Sequence, residues 1–147
     1  LHCSSAASDV YKRQEEDIDI VVDASAFSII LSNFVTNALK HSPSNSEILI
    51  KNDLEDDFLT TLSVIDHGKG IPKKYRDRVF ERFFRVDKGR AKHSGGTGLG
   101  LAISKHLARL MGYEVGMKPN KPNGSRFWIS VNYVSSEEEK SLTPELA

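Results

Sequence analysis

Apolar positions recur along this chain with two different periods, and the changes from one period to the other mark out its elements. Between Ala26 and His41, the residues Phe27, Leu31, Phe34 and Ala38 fall on one stripe of a 3.6-residue helix, with Asp23 placed as an N-cap and Pro43 as a stop. Over Phe58–Asp66 the period shortens to two, with Leu62, Val64 and Asp66 alternating into a glycine turn. This predicts a strand paired with Glu47–Asn52 across the polar turn 53–57. A short strand is expected over Ile18–Val22 and a short helix over Lys73–Phe80, after Pro72. A last helix should run from Gly98 to Met111 and stop at Gly112. Strands Glu114–Lys118 and Arg126–Tyr133 then form a hairpin around the Pro- and Asn-rich turn 119–124. The charged, glycine-rich stretch Arg85–Thr97 reads as a mobile loop, and 135–147 as a polar, disordered tail.

Three of these elements carry candidate chemistry. Gly95, Gly96, Gly98 and Gly100, with Thr97 among them, stand directly before the last helix. A helix start offers unpaired N–H groups and a positive dipole end, and glycines let a polyphosphate approach them. The spacing fits neither the P-loop nor the dinucleotide fingerprint. On the first helix Asn33, Asn37 and Lys40 form a second, polar stripe. Such a stripe is either a solvated face or a functional one. Asn is a poor helix former, which favours function, and an amide oxygen is a hard ligand suited to magnesium. Asp66, followed by Gly68 and Gly70, is either ordinary turn chemistry or a carboxylate that accepts a hydrogen bond from an exocyclic amine, with the glycines letting a flat base lie against backbone.

Taken together and in this order, the segments resemble the ATP-binding catalytic domain of bacterial sensor histidine kinases, a branch of the superfamily that also holds DNA gyrase and a heat-shock chaperone. SNFVTNALKHS is similar to that family's asparagine box, DHGKGIP to its first glycine box and GGTGLGL to its second. VFERFFRVD, Val79–Asp87, is similar to the phenylalanine box, which gyrase and the chaperone lack. The resemblance implies a two-layer α/β sandwich, the Bergerat-type ATP-binding fold, with a mixed sheet and about three helices on one face. It further implies that Asp66 accepts the adenine amino group while Gly68 and Gly70 shape the base pocket, with Ile71 also at the ATP site and His41 either stacked near the nucleotide or simply packed on the surface. Asn37 would hold Mg2+, and Asn33 and Lys40 would approach the phosphates. Gly96, Gly98, Leu99 and Gly100 would present N–H groups to the phosphates, with Thr97 nearer the base. Arg85 matches an arginine used near the transferred phosphate, where a cation stabilises developing charge; exposed arginines also serve solubility alone. His93 and His106 are not expected to accept phosphate, and Phe80, Phe83 and Phe84 are expected in core and lid packing.

The implied activity is transfer of the ATP γ-phosphoryl group to a histidine on a dimeric helical hairpin, then onward to the receiver domain of a response regulator. That hairpin is expected outside these residues, in a homodimeric parent kinase whose catalytic domain lies in the cytoplasm, whether or not upstream segments anchor the parent in the inner membrane. The other readings are a non-enzymatic nucleotide-gated module and a related protein-serine kinase of the anti-sigma type. Composition narrows the field further. With 20 basic and 20 acidic residues there is no electrostatic footprint for nucleic acid or an anionic membrane. No apolar run approaches the roughly 20 residues that span a bilayer. Ser4–Gln14 matches the translation of a common transposase sequencing adapter, so 1–14 is expected to be foreign, with 15–134 the catalytic domain. The single cysteine, Cys3, falls in that adapter stretch.

Overall fold

The computed structural model describes residues 17–86 and 97–135; the expectations for 1–14, for most of the lid including Gly95 and Gly96, for His93 and for the tail fall outside them. The element order is β1 (Ile18–Ile20), α1 (Ala24–His41), β2 (Leu49–Leu54), β3 (Leu59–Ile65), a 3-10 turn (Lys73–Tyr75), α2 (Gly100–Leu110), β4 (Glu114–Pro119) and β5 (Ser125–Ser135). The sheet runs β1, β5, β3, β2, and β4 also pairs with β5. β4 pairs with Ser125–Ser130 and β1 with Tyr133–Ser135, so the two short strands share one edge of the long β5 end to end.

Helices and sheet form the expected two layers, with one difference in the sheet. Every pairing among the described strands is antiparallel rather than mixed. The reason is topological. The α2 crossover joins β3 to β4, which run the same way, but β5 lies between them; α1 likewise joins β1 to β2 across β5 and β3. The third helix is also shorter than expected. Tyr75 donates to Pro72, Arg76 to Lys73 and Arg78 to Tyr75, all three residues back, so the segment stays a tight turn without continuing as an α-helix.

Alternation decides what each face of the sheet meets. Val64 stands opposite Phe127 and Leu62 opposite Ile129, while Met117 and Val115 flank the same two β5 residues. This face packs on Ile30, Phe34 and Ala38 of α1 and Ala108 of α2. Phe127 is the hub, with Phe34 at 5.7 Å and Phe80 edge-on at 6.0 Å between ring centroids. The other face carries Lys51, Asp53, Thr61, Ser63, Arg126 and Trp128. At the helix start Asp23 Oδ1 accepts the Ala26 N–H at 2.8 Å, the cap its position suggests.

Candidate functional site

The site is built where β3 ends beneath the two helices. Asp66 follows β3 and is 1% exposed. Its Oδ1 accepts the N–H of Gly68 at 2.9 Å and of Ser125 at 3.3 Å, while its own N–H donates to the Ser125 carbonyl at 2.9 Å. Two N–H groups hold one carboxylate oxygen, and among the described residues Oδ2 has no partner. A carboxylate oxygen left over beside the clamped one can accept from a donor, and an exocyclic amine is one. The turn after it leaves no room for side chains. A Cβ on Gly68 would come within 2.1 Å of the His41 carbonyl at the end of α1. One on Gly124, where φ is +113°, would come within 1.9 Å of the Asp66 carbonyl.

The β4–β5 turn therefore belongs to the site, which the sequence reading did not foresee. Asn120 Nδ2 donates to the Asp66 carbonyl at 3.1 Å and to Asn123 O at 3.2 Å, closing the turn over Asp66. Gly124 and Ser125, the latter 4% exposed, complete the contact. The available signal was a glycine at the entrance to an apolar strand, which marks close backbone approach. In the sequence alone that glycine reports no more than a turn.

α1 and α2 make the second wall. Asn33, half-buried, donates from Nδ2 to the Gly100 carbonyl at 3.0 Å and to Ser104 Oγ at 3.1 Å. Both amide hydrogens thus face α2, and the polar atom left over is an acceptor oxygen. Such an atom meets a phosphate only through water or a cation. Asn37 lies one turn further along the same face and is also half-buried, whereas Lys40 and His41 at the helix end are exposed. Among the described residues no three His, Cys, Asp or Glu side chains converge as a metal site. The hard donors on this face are amide oxygens, of Asn33 and Asn37, and such a set would suit an ion that keeps its waters and takes phosphate oxygens for the rest.

The wall at the start of α2 begins at Thr97, which is exposed, and runs through Gly98 and Leu99 into the first turn of that helix. The Phe83 N–H donates to the Gly98 carbonyl at 3.0 Å, so the phenylalanine segment buttresses the start of α2. Phe84 packs on Tyr75 at 5.6 Å with the Arg78 guanidinium 4.7 Å over its ring, and Val79 is buried. Phe83 departs from the expected packing: it is 69% exposed with φ +62°. Arg85 is half-buried near the end of the described stretch 17–86 and is engaged with neighbours. Gly70 faces the Gly124 carbonyl, and Ile71 packs against the core while its carbonyl accepts from Arg76 Nε at 3.0 Å. His67 Nδ1 lies 3.0 Å from the carbonyl of Glu47, 20 residues earlier and just before β2, and His106 is exposed on α2.

A cavity of about 270 Å³ opens on the opposite face of the sheet, lined by Asp53, Glu55, Thr61, Lys118, Arg126 and Trp128. None of these is among the nucleotide-site candidates, and the sheet separates them from Asn33 and Asn37. The Lys51 ammonium, 2.7 Å from Asp53, holds that carboxyl below its usual range; partial burial opposes this and Arg126, at 2.6 Å, adds to it. No described helix is long and apolar enough to cross a membrane.

Comparison with known proteins places this geometry. Residues 22–135 match the family model described as histidine kinase-, DNA gyrase B-, and HSP90-like ATPase. The chain is 36% identical over 126 residues to the sensor histidine kinase WalK of Bacillus subtilis, covering 85% of this chain and 21% of WalK. It is 41% identical over 101 residues to the sensor-like histidine kinase SenX3 of Mycolicibacterium smegmatis, covering 69% of this chain and 26% of SenX3. Among solved structures, a mycobacterial sensor histidine kinase MprB superposes with a TM-score of 0.69 at 29% identity, over 79% of this chain and 76% of that one. Full-length ShkA in complex with AMPPNP gives 0.69 at 30% identity, over 82% of this chain and 24% of ShkA. The chain thus spans about a quarter of the length of these curated relatives.

Proposed function

The chain belongs to the histidine kinase-, DNA gyrase B- and HSP90-like ATPase family, and from that premise we propose that residues 15–134 bind Mg2+-ATP and donate its γ-phosphoryl group to a histidine. The acceptor would lie on a helical hairpin of a homodimeric parent kinase, and the phosphoryl group would pass from there to the receiver domain of a response regulator. Work of this kind belongs in the cytoplasm. The observation that carries the reading is Asp66: a buried carboxylate with one oxygen held by two N–H groups and the other open to a donor. In the reading, Asp66 takes the adenine amine, while Gly68, Gly70 and Ile71 bound the base and His41 flanks it.

Asn37 would contribute its amide oxygen to Mg2+, with Asn33 and Lys40 on the same side of α1. Bound there, the ion would neutralise phosphate charge. Gly96, Gly98, Leu99 and Gly100 would offer N–H groups, Thr97 would lie toward the base, and Arg85 would meet the charge that develops on the transferred group. Phosphoryl transfer is mainly positioning plus electrostatic stabilisation, so the chain alone should turn ATP over very slowly. Mixing it with the dimeric hairpin of its parent kinase and labelled ATP tests the proposal: an acid-labile phosphohistidine should form on the hairpin. ATP binding without transfer would instead favour a nucleotide-gated module, and rapid labelling of the chain itself at His41, His93 or His106 would contradict the division of labour.

A further inference from the structure

Ser104 lies in the interior of α2, is fully buried, and has no part in the roles assigned above. Its hydroxyl donates to the Gly100 carbonyl four residues back at 2.9 Å and accepts from Asn33 Nδ2 at 3.1 Å, while the same nitrogen donates to the Gly100 carbonyl at 3.0 Å. A carbonyl can only accept, so the chemistry fixes the Asn33 amide with its nitrogen toward α2. Back-bonding serines slightly weaken a helix, and a buried hydroxyl has value only when partnered. The arrangement gives up some helix stability and obtains a fixed junction between α1 and the first turn of α2.

We propose that Ser104 is a positioning residue for the phosphate half of the site. Acting through Asn33, it locks the rotation and height of the α2 first turn against the face of α1 that carries Asn37. The N–H groups that would meet phosphate and the oxygen that would meet the metal are then held at a set separation before nucleotide arrives. Preorganisation of this kind raises affinity by removing an ordering cost from the binding step. Without the hydroxyl, both hydrogens of Asn33 compete for one carbonyl and the first turn of α2 can shift. The base half is untouched, because none of the partners of Asp66 lies on α2. The inference rests on the Mg2+-ATP reading above.

Calorimetric titration with Mg2+-ATP and NMR titration with adenosine, on the full chain, separate the two. In Ser104→Ala the dissociation constant for Mg2+-ATP should rise about 5- to 10-fold, the scale of one partly buried hydrogen bond, with adenosine affinity unchanged within about twofold. The double variant Ser104→Ala with Asn33→Ala should bind Mg2+-ATP as Asn33→Ala does, since both act through one junction. In the unmodified protein, which needs no variant to fold, the two side-chain amide protons of Asn33 should have well-separated shifts and exchange slowly. Equal losses for ATP and adenosine, no loss for either, or free-amide behaviour of Asn33 would overturn the positioning role. An unmodified chain that binds neither ligand would overturn the nucleotide reading itself, and the role of Ser104 with it.

Discussion

Around Asp66 the backbone does most of the holding, whereas around Gly100 two side chains do most of it. At the base end, the carboxylate is clamped between the N–H groups of Gly68 and Ser125, and glycines sit where any Cβ would strike a carbonyl. At the phosphate end, the first turn of α2 is joined to α1 by Asn33 and Ser104 and braced by the Phe83 N–H on Gly98. The difference teaches what each end can tolerate. In the proposed reading a base would meet one acceptor in one place, among surroundings held mainly by backbone, with the Asn120 amide closing the turn over them. A polyphosphate with its metal, as proposed for the other end, would have to enter and leave, and a junction of side chains can be loosened one bond at a time.

The sharpest way to break the base end is Gly124→Ala. Its Cβ would overlap the Asp66 carbonyl at a φ that L residues rarely adopt, so the fold should lose about 3 kcal/mol or more. Urea unfolding reads the loss, and a change below about 1 kcal/mol would show that the turn can give way. Asp66→Asn probes recognition at the same end. Its amide can rotate to present either donor or acceptor, so the preference for ATP over GTP should shrink about tenfold, roughly 1.4 kcal/mol; competition titration would detect it. At the phosphate end, Asn37→Ala should weaken ATP binding several-fold in the presence of Mg2+ and leave metal-free binding nearly unchanged. Equal losses would assign Asn37 a structural role.

The smallest effect is expected on the opposite face of the sheet. The pKa of Asp53 is lowered in the folded state relative to 3.8, so its ion pairs contribute stability above that pH, and the contribution is lost as pH falls through the folded value. The pair with Lys51 is half-exposed and screened, so Lys51→Gln should cost less than about 0.5 kcal/mol, shrink further in salt, and leave ATP affinity unchanged. Thermal melts at two salt concentrations test it.

How much of this was legible in the sequence depends on which interactions are local. The stripe of α1, its Asp23 cap and the hairpins follow from period and turn chemistry, and they stand where those signals put them. Asp66, Asn33 and Asn37 were picked out by residue type and spacing, and the fold brings them to one side of the sheet. Asn120, Ser125 and Ser104 were missed because their partners lie 54, 59 and 71 residues away. No local pattern reports such a contact. The antiparallel pairing of the whole sheet was hidden for the same reason: which strand β5 would separate is a tertiary decision. The brevity of the turn after Pro72 reflects the three-residue hydrogen bonds that replace a helical ladder.

Nucleotide is proposed to lie between the helices, over Asp66 and away from the cavity on the opposite face of the sheet. Backbone amide shifts during an NMR titration with Mg2+-ATP test it most directly. The account predicts that the largest perturbations fall on Asn33–Asn37, Asp66–Ile71 and Gly98–Leu101, with Asp53, Thr61 and Lys118 unmoved. Perturbations centred on those three residues and Trp128, or none at saturating nucleotide, would contradict it.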